Sequence, residues 1–505
     1  MNSKSRISLC VWLFLALSCI SVLSPVTAVD DELMHLSAIW CVNGVDNERC
    51  LALSEDPQNV TRNVLMPNSD LLGADTTISA TTNIDFAHCK YFPNEIYNCP
   101  TAQQGTLTSL VSNSKLFPGW TYELMHFVVG ADVERSVVRI RLLTALIVSL
   151  VFLGLLCLPN PRAGSVAIGA MLICMQPFGW FLVSSVSPSG LASIGVATSW
   201  LFLYSALVDH HVSIASRARN VFLALITSMF ALGSRLDTAV FLLLTYACLF
   251  AVLIVRRVRE RERTSVPKPS IVIGVLSLGA VLVFALRTTK FGAIGGLLLS
   301  GNESGVEDAI FFSHNLLQVF PIWFQATGSV SAHTGVVIPQ ISGVLMTLLL
   351  GILLISQISH LNAFQFIGIS SAVVGALVIN VLWTGVFDSR TLFGPSVRYT
   401  FPLLLFACVW LVVFSGSIGS PYQSTNRRIL EFCYILSFAL SIYSIGERFV
   451  DRQTFGLRVL PEGPDQWWWS WLPLGPNAVV IIGTYCMYRV LASYRNIDTS
   501  SGIDR

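Results

Sequence analysis

The sequence predicts an all-α integral membrane protein of about twelve transmembrane helices, with a disulfide-bearing outer loop domain after the first. Three observations carry that expectation. Charged residues make up 12% of the 505 residues and hydrophobic ones 53%, whereas soluble domains are about 25% charged. Apolar runs recur along the chain at the length of about 20 residues that one crossing of the hydrocarbon core requires. Cys41, Cys50, Cys89 and Cys99 all fall in one polar segment, an even number that points to two disulfides and an oxidising compartment. Three pairings are open, with Cys41–Cys50 and Cys89–Cys99 the local choice. The other cysteines lie in or beside apolar runs and read as small buried hydrophobes.

Taken in order, the candidate spans are 8–27, 138–158, 165–184, 190–208, 220–234, 238–255, 269–286, 337–356, 363–383, 400–416, 428–445 and 474–491. The fifth and sixth are the weakest, because Gly233-Ser234-Arg235-Leu236-Asp237 separates them and the fifth is short. These spans divide the chain into a first helix (1–27), a loop domain (28–137), a multi-span domain (138–491) and a tail (492–505). Residues 1–28 also read as a signal peptide, with a basic start, an apolar core and small residues before the break; cleavage would leave eleven spans.

Lys and Arg in short loops set orientation. With the N-terminus cytoplasmic, Lys4, Arg6, Arg162, Arg217, Arg219, the run Arg256 to Arg263, Arg427, Arg428, Arg489 and Arg495 all fall inside. Arg139 and Arg141 are the exception, placed at the outer end of the second span, where snorkelling or a functional role would account for them. The longer segments fall outside: 28–137, 287–336, 384–399 and 446–473. The net charge of +2 singles out no partner. There is no basic patch interleaved with aromatics for nucleic acid and no phosphate-binding glycine loop for a nucleotide.

Several constellations carry chemistry, each beside a plainer reading. Asp30, Asp31 and Glu32 stand where the first apolar run stops, with His35 three residues after Glu32. A carboxylate at that surface can act as a general base on a hydroxyl within hydrogen-bond reach, and Glu32 and His35 share a helix face. A charged flank closing a membrane helix is the plainer account, and a carboxylate-bridged metal site would need a second copy of the motif. Arg398 and Tyr399 sit at the mouth of an apolar span; arginine's planar fork suits phosphate, while interfacial anchoring explains both residues as well. Arg235 and Asp237 interrupt two apolar runs, either as a functional pair or as a mutual salt bridge. Ser187 to Gly190 reads as a turn. Trp467, Trp468, Trp469 and Trp471 read as an aromatic belt or a sugar-stacking platform. His314 and His333 read as solvated, and Asn59-Val60-Thr61 matches a glycosylation sequon.

The ordered set of Asp31-Glu32-x-x-His35, "RIRLLTALIVSL", "VSPSGLASIG", "GSRLDTAVFLLL" and Gly394-x-x-x-Arg398-Tyr399-x-x-Pro402 resembles the domain of unknown function 2142 family of bacterial multi-span membrane proteins. It departs from that family's pattern at Ser187-Pro188-Ser189-Gly190 and at Ser396-Val397 before Arg398. The family is grouped with the GT-C membrane glycosyltransferases. The resemblance implies that the first helix is retained and that the protein is a glycosyltransferase at the outer face of the cytoplasmic membrane, working in cell-envelope glycan synthesis. The donor would be a polyprenyl-phosphate-linked sugar and the acceptor a glycan. Asp31, or failing it Glu32, would be the base, with His35 beside it. Arg398 would hold the leaving phosphate, with Tyr399, Arg235 and Asp237 near it, and Trp467 to Trp469 would line the acceptor cleft. No cofactor is required, although Asp31, Glu32 and His35 would accommodate a divalent cation. A transporter or flippase, which needs ionisable residues or broken helices within the membrane, and a non-catalytic scaffold are the rival classes.

Overall fold

The computed structural model describes residues 3–26, 32–40, 42, 51–52, 79–80, 119–130, 132–208, 213–235, 238–259, 329–331, 336–337, 340–358, 361–387, 397–415, 427–450, 460 and 471–500. The four cysteines of the polar segment, Asp31, Asp237, Trp467 to Trp469 and the expected span 269–286 lie outside these residues. In chain order the helices are α1 (Ser3–Val22), α2 (Glu32–Trp40), α3 (Gly119–His126), α4 (Val133–Leu156), α5 (Pro161–Cys174), α6 (Phe178–Val183) and α7 (Pro188–Val208). They continue as α8 (Ile214–Ser234), α9 (Thr238–Arg259), α10 (Gln340–Ile358), α11 (Ala363–Phe387), α12 (Val397–Val413), α13 (Arg427–Val450) and α14 (Pro476–Ser500). Two short antiparallel pairs accompany them: β1 (Leu51–Ala52) with β2 (Ser79–Ala80), and β3 (Ser329–Ser331) with β4 (Val336–Val337).

Local chemistry starts these helices where the sequence changes character. Asp132 caps α4 by accepting from the Arg135 amide at 3.1 Å, so this helix begins five residues before the expected span. Asn160 caps α5 ahead of Pro161, and Ser213 caps α8; proline is tolerated at a first helical position because its missing N–H has no partner there. Helix α7 is apolar all round and lies at the centre, with almost every residue buried. Its hydroxyls are satisfied by its own carbonyls: Ser193 donates to Ser189 at 2.8 Å and Thr198 to Ile194 at 2.7 Å. Small residues let its neighbours approach. A Cβ on Gly195 would collide with the Thr227 carbonyl and Ala231 of α8. In lipid this close approach replaces the hydrophobic effect as the source of helix association. Further along, Trp200 packs on Trp410 and Phe406 of α12, with ring centroids 4.5 and 6.0 Å apart. Ser342 of α10 bonds Ser437 and Ser441 of α13 at 2.7 and 3.1 Å.

One end of the bundle is basic. Arg6 of α1 reaches Cys157 beyond α4, whose carbonyl takes a 2.6 Å bond from Arg219 of α8. Arg256 of α9 donates to Tyr204 of α7 at 2.7 Å. Ser8 lies 3.2 Å from Ser493, and Glu431 lies between Arg427 and Arg495, at 3.0 and 3.6 Å. Basic clusters far apart in sequence therefore meet at one end.

Among the described residues, five helices are long and apolar enough to cross a membrane: Ser3–Val22, Val133–Leu156, Pro188–Val208, Thr238–Arg256 and Arg427–Glu447. Helix α5 (Pro161–Cys174) is apolar but shorter, and α10, α11 and α12 are apolar as well. The expected span 165–184 is broken. Helix α5 stops at Cys174 and α6 restarts at Phe178, with a cis Gln176–Pro177 bond between them. The side-chain amide of Gln176, 1% exposed, has no hydrogen-bond partner among the described residues. The eight cysteines of the described residues are free, most of them buried, as small hydrophobes should be.

Two glycines test the packing argument. Gly195→Val forces the α7–α8 contact apart, and overpacking of this kind costs about 1–3 kcal/mol. Gly351, where a Cβ meets nothing within 4 Å, should accept alanine with no loss. Thermal melts in detergent should show a clear drop for the first and none for the second.

Candidate functional site

The site is built at the end of the bundle opposite the basic clusters, and it starts from a helix terminus. The last carbonyls of α1 have no intrahelical partner. Arg141 supplies one from α4: Nη1 donates to the carbonyls of Ser21 at 2.8 Å and Ser24 at 2.7 Å, and Nη2 to that of Pro25 at 2.7 Å. A cation is favoured at that terminus. The remaining donors face Glu32, the first residue of α2: Nε to Oε1 at 3.1 Å, and Nη2 to both carboxylate oxygens at 2.9 Å. The Val186 amide donates to Oε1 at 3.1 Å. Both side chains are 0% exposed. Arg141 lies about 12 Å along α4 from its first residue, so it is not a snorkelling anchor. It turns inward because a guanidinium with five donors, facing a carboxylate and three carbonyls, is fully satisfied there.

The turn that supplies Val186 leads straight into a second cluster. Ser189, in the first turn of α7, accepts from Arg235 Nη1 at 3.0 Å. Gly190 follows, where a Cβ would stand 2.8 Å from the Leu182 carbonyl, so the chain can double back this tightly only without a side chain. Arg235, 5% exposed, follows the last residue of α8 and also donates to the Arg398 carbonyl at 3.2 Å. That carbonyl is available because Pro402, four residues on within α12, has no N–H to bond it. The Arg235 guanidinium lies 4.2 Å from the centroid of the Tyr399 ring, and that of Arg398 lies 5.0 Å from it. Arg398 Nη2 also donates to the Tyr399 hydroxyl at 3.3 Å. Two cations share one aromatic ring, with a serine hydroxyl beside them.

Helix α3 closes one side. His35 Nδ1 and the Tyr122 hydroxyl are 2.9 Å apart, and His126 Nδ1 lies 2.9 Å from the Ile39 carbonyl. The Thr121 hydroxyl donates to the Gly233 carbonyl. Helix α3 thus ties α2 to the turn that presents Arg235.

The structure brings Arg235, Arg398 and Tyr399 together, as a common role requires. It separates Glu32 from His35 chemically: the carboxylate turns to Arg141 and the imidazole to Tyr122. Among the described residues no group of three or more His, Cys, Asp or Glu side chains converges as a metal site would. Arg141, Ser189, Tyr122 and the Val186 amide were not singled out as site residues. For Arg141 a signal existed, since it broke the charge bias of the loops. For Tyr122, inside a long polar segment, none did.

The ion pair yields a prediction. Arg141→Met leaves the Glu32 carboxylate buried without its partner, which costs about 3–5 kcal/mol, and the protein should melt far lower or fail to accumulate. A Glu32→Leu/Arg141→Met double variant should regain most of that loss. Equal losses in the single and double variants, by melting in detergent, would show that the pair does not organise this end.

The model of the family described as "Predicted membrane protein (DUF2142)" matches residues 13–407, a stretch that holds every described residue of both clusters. Comparison with curated proteins and with solved structures finds no match. The match takes in well over half of the chain, and the protein belongs to the DUF2142 family of predicted membrane proteins.

Proposed function

We propose that this membrane protein is a glycosyltransferase that takes a polyprenyl-phosphate-linked sugar donor at the outer face of the cytoplasmic membrane and passes the sugar to an envelope glycan. The observation that carries the reading is the pairing of Arg235 and Arg398 on the Tyr399 ring, with Ser189 alongside. A phosphate that gains charge as it leaves is stabilised by donors already held in place, and arginine's fork matches its oxygens. The membrane setting fits a lipid-borne donor, and the basic opposite end fits the cytoplasmic side.

In this reading Asp31 is the base. An acceptor hydroxyl gives its proton to the Asp31 carboxylate while its oxygen attacks the anomeric carbon. The bond from that carbon to the phosphate oxygen breaks, and the lipid phosphate leaves with the electron pair toward Arg398 and Arg235. Glu32 is a positioning residue. Both its oxygens are taken by Arg141 and the Val186 amide, which leaves no room for an incoming hydroxyl. Asp31, the neighbour of Glu32 in the sequence, is assigned the role of base. Asp237, two residues after Arg235 in the sequence, is assigned to the phosphate site. Trp467 to Trp469 offer stacking faces for the acceptor, and a divalent cation is not needed.

The break between α5 and α6 favours a second reading, in which the chain moves a lipid-linked precursor across the bilayer, since discontinuous helices line many transport paths.

Complementation of a knockout separates these readings, with membrane protein levels matched and envelope glycan and lipid-linked sugar measured. Asp31→Asn should accumulate to normal levels, lack the glycan and pile up donor lipid on the outer leaflet. Arg398→Ala and Arg235→Gln should cut transfer by about a hundredfold or more, the scale of losing a preorganised donor at developing charge. Donor lipid piling up on the inner leaflet instead would favour transport. Wild-type glycan in all three variants would end the transferase reading.

A further inference from the structure

The break between α5 and α6 puts a whole amide among apolar helices. Gln176 is 1% exposed, and neither its Oε1 nor its Nε2 has a hydrogen-bond partner among the described residues. Native proteins rarely leave such a group unpaired. At helix breaks within a membrane, freed polar groups are met by neighbouring helices, hydroxyls or ordered water. Beside Gln176 lies a small cavity. Ile20 of α1, Trp180 and Phe181 of α6, and Phe438 and Ser441 of α13 line it with Gln176, and all are buried. It leaves about 10 Å³ for the centre of a water molecule, which is the room that one water needs. Ser441 brings a second polar group. Its hydroxyl donates to the Ser437 carbonyl at 2.7 Å, so its oxygen can still accept.

We propose that this cavity is a hydration site, in which one water molecule bonds Gln176 to Ser441. The water accepts from Gln176 Nε2, donates one proton to Oε1 of the same amide and the other to Ser441 Oγ. Three bonds are the usual number for a buried water. Size selects this occupant, since any organic group is too large. Charge selects it as well. No carboxylate is among the described residues that line the cavity, so a cation would lose its hydration with nothing to offset the loss. Cavities that stay dry are apolar, and an amide and a hydroxyl line this one. Ser441 lies 3.1 Å from Ser342 Oγ, so the water ties the break to the seam between α10 and α13. A bridge of this kind is nearly as good as a direct hydrogen bond, and it holds in place a backbone that no continuous helix supports.

The test is hydroxyl-radical footprinting of the full chain in lipid nanodiscs. A brief X-ray pulse splits water where it sits, and mass spectrometry reads which side chains beside it are oxidised. In the wild type, Trp180 and Phe181 should be oxidised although each is only 1% exposed. Trp410 is the control: it is 0% exposed, its Nε1 donates to the Phe364 carbonyl at 2.8 Å, and it should stay unmodified. Gln176→Leu removes the water's main partner. It should bring Trp180 and Phe181 down to the level of Trp410 and lower the melting temperature. Wild-type oxidation of Trp180 and Phe181 no greater than that of Trp410 overturns the proposal, as does oxidation unchanged in Gln176→Leu. A higher melting temperature in that variant also overturns it, because removing a buried amide that nothing satisfies relieves a cost. Should the variant fail to fold, the wild-type comparison with Trp410 decides the matter.

Discussion

The buried pair between Arg141 and Glu32 is the constraint on which one whole end of this protein depends. Isolated charges cannot be left inside a bundle that sits in hydrocarbon. Removing two of them from water costs several kcal/mol each unless every donor and lone pair finds a partner. Here they do. One guanidinium closes the end of α1, grips the first residue of α2 and, through that carboxylate, holds the turn ahead of α7. No one of these segments can shift without breaking a charged hydrogen bond in a medium that offers no replacement.

The same logic runs through the rest of the bundle at lower stakes. Lipid gives helices no hydrophobic reason to associate, so contact quality decides. Glycine and serine on α7 permit close approach, serine hydroxyls bond across α10 and α13, and tryptophans fill the gaps. Pro402 shows how a defect becomes a contact. By failing to bond the Arg398 carbonyl, it leaves an acceptor that Arg235 takes up. That single exchange joins α8 to α12 and brings two arginines to one tyrosine.

The short turn from Val186 to Ser189 links the two clusters. Its first residue holds Glu32 through an amide, and its last holds Arg235 through a hydroxyl. This fixes Glu32 and the cationic pocket relative to one another, and in the proposed reaction a base and a leaving-group site require that of their scaffold. The break between α5 and α6 is close by in the chain and frees this turn from a continuous helix.

Much of this was legible in the residues alone. Composition and run length act locally, so the helical membrane class and most helix positions followed from them. The gathering of basic clusters at one end followed from their alternation between spans. Arg235, Arg398 and Tyr399 stood out because charge at the edge of an apolar run is conspicuous. The break at Gln176 did not stand out, because its flanks are apolar and hydropathy averages across them. The partner of Glu32 did not either. Arg141 is 109 residues away, and a charge so far along the chain finds its counterpart only when helix packing makes their segments neighbours. Which residues are helical and apolar belongs to the sequence by itself. Which carboxylate is anchored and which arginines meet was decided by the tertiary structure, because a buried charge is defined by what surrounds it.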